Sequence, residues 1–177
     1  MWIRDIGGTS VGTPEKIQAV ADKIVKFRQQ GHDVVVVVSA MSGETNRLVA
    51  LAAEMQSPPD PREMDVLVST GEQVTIALLS MALKARGQDA RSYTGSQIKI
   101  LTDSAHTTAR ILDIDDQRMR TALSAGRVVV VAGFPGGDES NKITTPGRGG
   151  AVSIGVAPRG SGERGGAHGL TEEEWGR

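Results

Sequence analysis

Five short runs hold the residues best suited to bind a charged small molecule. The first is Gly7-Gly8-Thr9-Ser10. Its glycines let backbone N–H groups close around an anion, and its hydroxyls add donors. Ser39-Ala40-Met41-Ser42-Gly43-Glu44-Thr45-Asn46, Ser69-Thr70-Gly71-Glu72 and the Gly133-to-Gly137 run containing Phe134 are also built of small and polar residues. The fifth, Gly147-Arg148-Gly149-Gly150, sets a guanidinium among glycines. Arginine forks onto a carboxylate or phosphate in a geometry that lysine cannot supply. Singly, each run also has an ordinary explanation. Gly7–Ser10 is a strand-to-helix turn, Thr45 a helix cap, Glu72 a first-turn acid facing a helix dipole, and Arg148 a solvated loop residue. A loop made for phosphate commonly has a cation close by, yet position 5 is an aspartate.

These runs need elements to hold them, and the chain has a regular alternation. Thr13-Pro14 reads as an N-cap followed by proline in the first turn, and Ile17, Val20, Ala21 and Ile24 recur at helical spacing until Gly31. Asp33–Ser39 contains five consecutive valines. A β-branched run without alternation is covered on both faces, which predicts a central parallel strand. A second helix carries Leu48, Val49, Leu51, Ala52 and Met55, and Pro58, Pro59 and Pro61 interrupt the chain. A third is predicted over 72–86, buried through Val74, Leu78, Met81 and Ala82, with Ser69–Glu72 as the loop before it. Extended pieces follow at 90–93 and 97–101, then a weaker helix over 115–125, then the strand Arg127–Ala132. The pattern predicts an α/β three-layer sandwich with a mainly parallel central sheet. In such sheets ligands gather beyond the carboxyl ends of the strands, where the first four runs fall.

Composition excludes several classes. The 177 residues suit one body, with 20 basic against 21 acidic side chains, so nothing favours nucleic acid or an anionic membrane. Absence of cysteine removes disulfides and thiolate metal sites. His32, His106 and His168 stand apart from any acid cluster, so no metal site is expected. No leader precedes the first strand, and uninterrupted apolar runs fall short of a membrane span; a soluble cytoplasmic protein is expected. Ten of the 22 glycines lie in 147–177. The expectation is an ordered body over 1–150 and a Gly-rich, poorly ordered tail over 151–177.

Taken in order, Gly-Gly-Thr-Ser-Val-Gly-Thr, Val-Val-Val-Ser-Ala-Met-Ser-Gly-Glu-Thr-Asn, Ser-Thr-Gly-Glu-Gln, Ser-Tyr-Thr-Gly-Ser-Gln, Ala-Gly-Phe and Thr-Thr-Pro-Gly-Arg-Gly-Gly resemble the motif set of the aspartate kinases. These belong to the amino acid kinase superfamily, and the likeness covers about residues 6–150, the N-terminal part of the kinase domain. It implies transfer of a phosphoryl group from ATP, with Mg²⁺, to the side-chain carboxylate of L-aspartate, the first step toward lysine, threonine and methionine. It also implies roles. Gly7, Gly8, Thr9 and Ser10 surround the moving phosphate, and Ser39 lies beside the nucleotide phosphates. Thr45 and Glu72 hold the amino acid, Glu72 through its ammonium group. Phe134 walls the pocket, Arg148 takes a carboxylate, and Gly149 and Gly150 allow close backbone approach.

Three departures from that family bear on activity. Asp5 stands where the family has a catalytic lysine, and Ala151-Val152 stand where it continues Ser-Asp. The family's nucleotide-binding half and regulatory domains do not follow; Ala151–Arg177 resembles the product of a shifted reading frame. The expectation is a truncated homologue with impaired catalysis. The alternative is a non-catalytic module that associates with itself or with a full-length kinase subunit.

Overall fold

The computed structural model describes residues 2–94, 97–98, 100–102, 111–114, 117–133, 136–137 and 143–144. The elements run β1 (Trp2–Ile6), α1 (Pro14–Gln29), β2 (Val34–Val38), α2 (Glu44–Met55), α3 (Pro61–Lys84), β3 (Ala90–Tyr93), β4 (Ile100–Thr102), β5 (Ile111–Ile114), α4 (Gln117–Ser124), β6 (Val128–Ala132), β7 (Gly136–Gly137) and β8 (Ile143–Thr144). One sheet has the order β1-β2-β6-β3, and every pair in it is parallel. A smaller mixed sheet has the order β5-β4-β7-β8.

The valine runs form the centre as expected, because strands covered on both faces have no use for polar alternation. All five residues of β2 and of β6 are buried. Successive side chains point to opposite faces, which splits each run between two cores. Val34, Val36, Val38, Val128 and Val130 pack with Ile17, Val20 and Ile24 of α1 and with Ile76, Leu79 and Leu83 of α3. Val35, Val37, Val129 and Val131 pack on the other side with Met119, Ala122 and Leu123 of α4. Helices thus cover both faces of the sheet, giving three layers. α2 lies outside this arrangement and packs against α3.

α1 begins as its capping signal predicts: the Thr13 hydroxyl accepts from Lys16 N at 3.3 Å. Beyond it, Gly31 has φ +86°, a conformation that costs an L-residue about 1–2 kcal/mol. α3 uses the same device at Asp60-Pro61. Asp60 accepts from Glu63 N at 3.0 Å, and Pro61 occupies the first turn.

Two expectations about α3 are corrected. It starts at Pro61, so Ser69–Glu72 lie within a helix and not in a loop. Its buried face is also different. Val74, Leu78 and Met81 are exposed at 47%, 36% and 65%, whereas Asp65, Ser69, Glu72, Ile76, Leu79 and Leu83 are buried. Both faces are apolar over 74–83, so periodicity could not choose between them. α3 is also long and apolar enough to cross a membrane, with a mean hydropathy of 1.5 over an 18-residue window. Half of that window is buried, and the core contacts of Ile76, Leu79 and Leu83 account for much of its apolar character. Residues 151–177, the expected tail, lie outside the described residues.

Candidate functional site at the carboxyl edge of the sheet

Strands β1, β2 and β6 end side by side, and their ladder continues one step into the loops. Ser39 N donates to Ile6 O at 3.2 Å, and Gly133 N donates to Val38 O at 2.9 Å. These bonds hold the starts of three loops at fixed separations. The first is a tight turn, closed by Ser10 N donating to Gly7 O at 3.0 Å and anchored by the fully buried Val11.

Glycine allows this loop to lie directly on the second one. A Cβ added to Gly8 would stand 2.7 Å from the Ala40 carbonyl oxygen, closer than real Cβ atoms come. A Cβ on Gly12 would overlap the Ser42 hydroxyl. That hydroxyl in turn donates to Gly8 O at 3.0 Å, so the chain is clamped between points 34 residues apart. From the other side comes α3: a Cβ on Gly71 would meet Ala40 Cβ at 3.1 Å and Glu44 Cγ at 3.2 Å. Ala40 is therefore the junction where the first loop, the second loop and α3 converge.

The convergence brings together most of the residues singled out in the sequence. Gly7, Gly8 and Ser10 are half-buried, Thr9 is exposed, and Ser39 is half-buried at the end of β2. Thr45 sits half-buried in the first turn of α2, which opens at Glu44 after the left-handed Gly43. Glu72 follows Gly71 on α3 and is 3% exposed. A carboxylate so deeply withdrawn from water is costly unless it is paired, and Glu72 does have an interaction partner. Ser69 and Asp65, each 1% exposed, continue this buried polar row one and two turns earlier. β8 packs against α3, which carries the chain past that helix shortly before position 148. Phe134, Arg148, Gly149 and Gly150, together with Ala151 and Val152, lie outside the described residues. Asp5 is placed by its backbone on β1, in register with Val37.

Several contributors had no signal strong enough to find in the sequence. Lys16 Nζ donates to Thr9 O at 2.8 Å, which places a cation on the glycine loop from the first turn of α1. Glu44 takes both arms of Arg47, at 3.0 and 2.7 Å, and this hydrogen bonding holds its carboxyl below the usual range. Ser42, Gly12 and Gly71 act through contacts between distant segments. The start of α3 could have been found, since Asp60-Pro61 repeats the Thr13-Pro14 signature.

A glycine loop at a parallel sheet edge, backed by a helix with a buried polar row, is suited to hold a small charged ligand. The sequence profile of the amino acid kinase family matches residues 3–155, and the chain belongs to that family. Within it the similarity is to aspartate kinases. An aspartokinase of Pseudomonas aeruginosa is 66% identical over 155 residues, covering 88% of this chain and 38% of the relative. Aspartokinase 2 of Bacillus subtilis is 52% identical over the same share of each. The crystal structure of aspartate kinase from Synechocystis superposes with a TM-score of 0.72 at 47% identity, covering 85% of this chain and 25% of that one. Aspartokinase III of E. coli, solved with aspartate and ADP, shares the fold at a TM-score of 0.72 and 22% identity. The chain thus spans well under half the length of these relatives.

Proposed function

We propose that this chain carries the aspartate pocket and phosphate loop of an aspartate kinase, acts in the cytoplasm, and by itself transfers the phosphoryl group poorly or not at all. The observation that carries the reading is the double glycine approach on Ala40. Gly8 from one side and Gly71 from the other bring the loop, the start of α2 and the helix that carries Glu72 together at Ala40. L-Aspartate needs an anion for its ammonium group and a cation for its carboxylate. Glu72 supplies the first, Arg148 the second, with Thr45 beside them, Phe134 as a wall, and Gly149 and Gly150 leaving room.

ATP with Mg²⁺ supplies the phosphoryl group when bound. Gly8 lies directly on the Ala40 carbonyl, where no side chain would fit, and the backbone N–H groups of 7–9 with the hydroxyls of Thr9, Ser10 and Ser39 are suited to the phosphates. Among the described residues no three His, Asp or Glu side chains cluster, so this portion offers a metal no cage of its own. Mg²⁺ commonly travels on nucleotide phosphates instead.

Asp5 is the reason for reduced turnover. Phosphoryl transfer is accelerated mainly by positioning and by cations that offset charge on the moving group. At about 4 Å and an effective dielectric of about 20, one charge pair is worth roughly 4 kcal/mol. Losing the attraction of the family's lysine alone therefore costs about three powers of ten in rate, before the repulsion from Asp5. Lys16 sits on the loop but spends a hydrogen bond on Thr9 O.

Two measurements test this. Calorimetric titration of the folded chain with L-aspartate is expected to show one saturable site, and its absence removes the roles of Thr45 and Glu72. A hydroxylamine assay for aspartyl phosphate is expected to show no turnover above background; ordinary kinase rates would overturn the impairment. A second reading, association with another copy or with a full-length kinase subunit, is favoured by Val74, Leu78, Met81 and Met55, which expose apolar surface on α3 and α2. Sedimentation of the chain alone and co-purification with an intact aspartate kinase test it.

A further inference from the structure

We infer that the edge of β3, beyond which no strand pairs among the described residues, forms a second binding site, for a small phosphate-bearing anion, separate from the carboxyl-edge site. β3 ends the parallel sheet, and a cavity of about 510 Å³ runs along it. All four residues of β3 line it, α3 contributes Ser80 and Lys84, and α4 contributes Arg118. None of the glycine-loop residues, nor Ser39, Thr45 or Glu72, is in its wall. The volume falls in the range of small-molecule sites.

Its charge is one-sided in a chain that is otherwise balanced. Lys84, Arg91, Arg118 and Arg127 face a single carboxylate, Asp89. That carboxylate is already engaged by Arg127 Nε at 2.9 Å, and the bond lowers its pKa and keeps it ionised. Arg118 donates one Nη1 to Gln97 O at 2.8 Å, which steadies the guanidinium while leaving four more N–H donors on it. Neither Lys84, Arg91 nor Arg118 closes an ion pair with another described residue.

A second observation points to the same cavity. Ser80 is 7% exposed, and its hydroxyl has no hydrogen-bond partner among the described residues. A helical serine or threonine ordinarily returns its hydroxyl to the carbonyl one turn back, as Thr75 does to Gly71 O at 3.3 Å. Ser80 leaves that bond unmade at the wall of a basic cavity, and a hydroxyl can turn to donate or accept. Several separated cations with spare N–H donors suit the many oxygens and double charge of a phosphate better than a single carboxylate.

Titration of the whole chain with pyrophosphate at low ionic strength, followed by calorimetry, tests the site. Saturable binding is expected that persists in Gly8→Ala and is weakened at least tenfold by Arg118→Gln and by Arg91→Gln, both at exposed positions. Ser80→Ala is expected to weaken it severalfold without altering the circular dichroism spectrum. Gly8→Ala, which disturbs the other site, is expected to leave it unchanged. The inference is overturned by no saturable binding, by binding indifferent to both arginine variants, or by binding lost only in Gly8→Ala. Equal affinity for citrate would overturn the phosphate class.

Discussion

Gly8→Ala is the sharpest probe of the carboxyl-edge site, because it adds one methyl group where the structure has no room. The new Cβ would lie 2.7 Å from Ala40 O, against an ordinary contact of 3.4 Å or more, so something must move by about 0.7 Å. The obstacle is backbone, and it cannot swing aside as a side chain would. Ser39 N bonded to Ile6 O and Gly133 N bonded to Val38 O fix the strand ends on either side. The Ser42 bond to Gly8 O must stretch as well. Overpacking of this kind costs about 1–3 kcal/mol. For a domain of this size that lowers the melting temperature by roughly 2–4 °C per kcal/mol. Equilibrium unfolding in urea is the assay, with Ser42→Ala as a companion expected to cost about 1 kcal/mol. The double variant should cost less than the sum, since once Gly8 is displaced the Ser42 bond is already lost. Gly31→Ala is a useful contrast: no atom lies within 4 Å, and its cost comes only from φ +86°. A Gly8→Ala protein within about 0.5 kcal/mol of the parent, binding L-aspartate equally well, would refute the clamp.

Other outcomes follow from burial and charge. Leu79→Ala should cost about 2–5 kcal/mol and Met81→Ala under about 0.5, because Leu79 is 0% exposed and Met81 65%; reversed values in urea melts would mean α3 faces the other way. Glu72→Gln keeps the shape but removes the charge, and should weaken L-aspartate at least tenfold in calorimetry while the protein stays folded. The carboxyls of Asp22 and Asp89 are held below their ordinary range chiefly by hydrogen bonds from Arg86 and Arg127. A depressed folded-state pKa contributes stability that is fully present above the unfolded value and is lost as pH falls through the folded one. Unfolding free energy should therefore stay level with respect to these groups from pH 7 to about 5 and drop below about pH 4. Arg86→Ala should flatten that acid limb, and an unchanged profile would count against the Arg86–Asp22 contact.

How much of this was legible depended on whether one segment alone carried the information. β2 and β6 were, since runs of five and four valines without polar alternation admit only burial on both faces. α1 was too, because Thr13-Pro14 and Gly31 bracket a single apolar stripe. The glycine loop could be seen as a motif. Its partner Ser42 could not, since the bond to Gly8 exists only after β1 and β2 pair.

α3 shows why the remainder stayed hidden. Its exposed face offers Val74, Leu78 and Met81, and its buried face offers Ile76, Leu79 and Leu83, so hydrophobicity alone gives two equal answers. The choice is made by Gly71, whose missing side chain lets Ala40 and the first turn of α2 come within contact. That rotation carries Asp65, Ser69 and Glu72 inward. Three polar residues that would mark a solvent face in an isolated helix thus become buried, at 3% exposure or less. Such withdrawal raises the cost of each unless a partner is supplied. It also keeps water from competing for them, which is the condition a carboxylate needs to hold the ammonium of an amino acid strongly. The error in reading the helix and the position of the candidate site therefore have one cause. A pocket that must bury charge breaks the pattern by which buried faces are recognised.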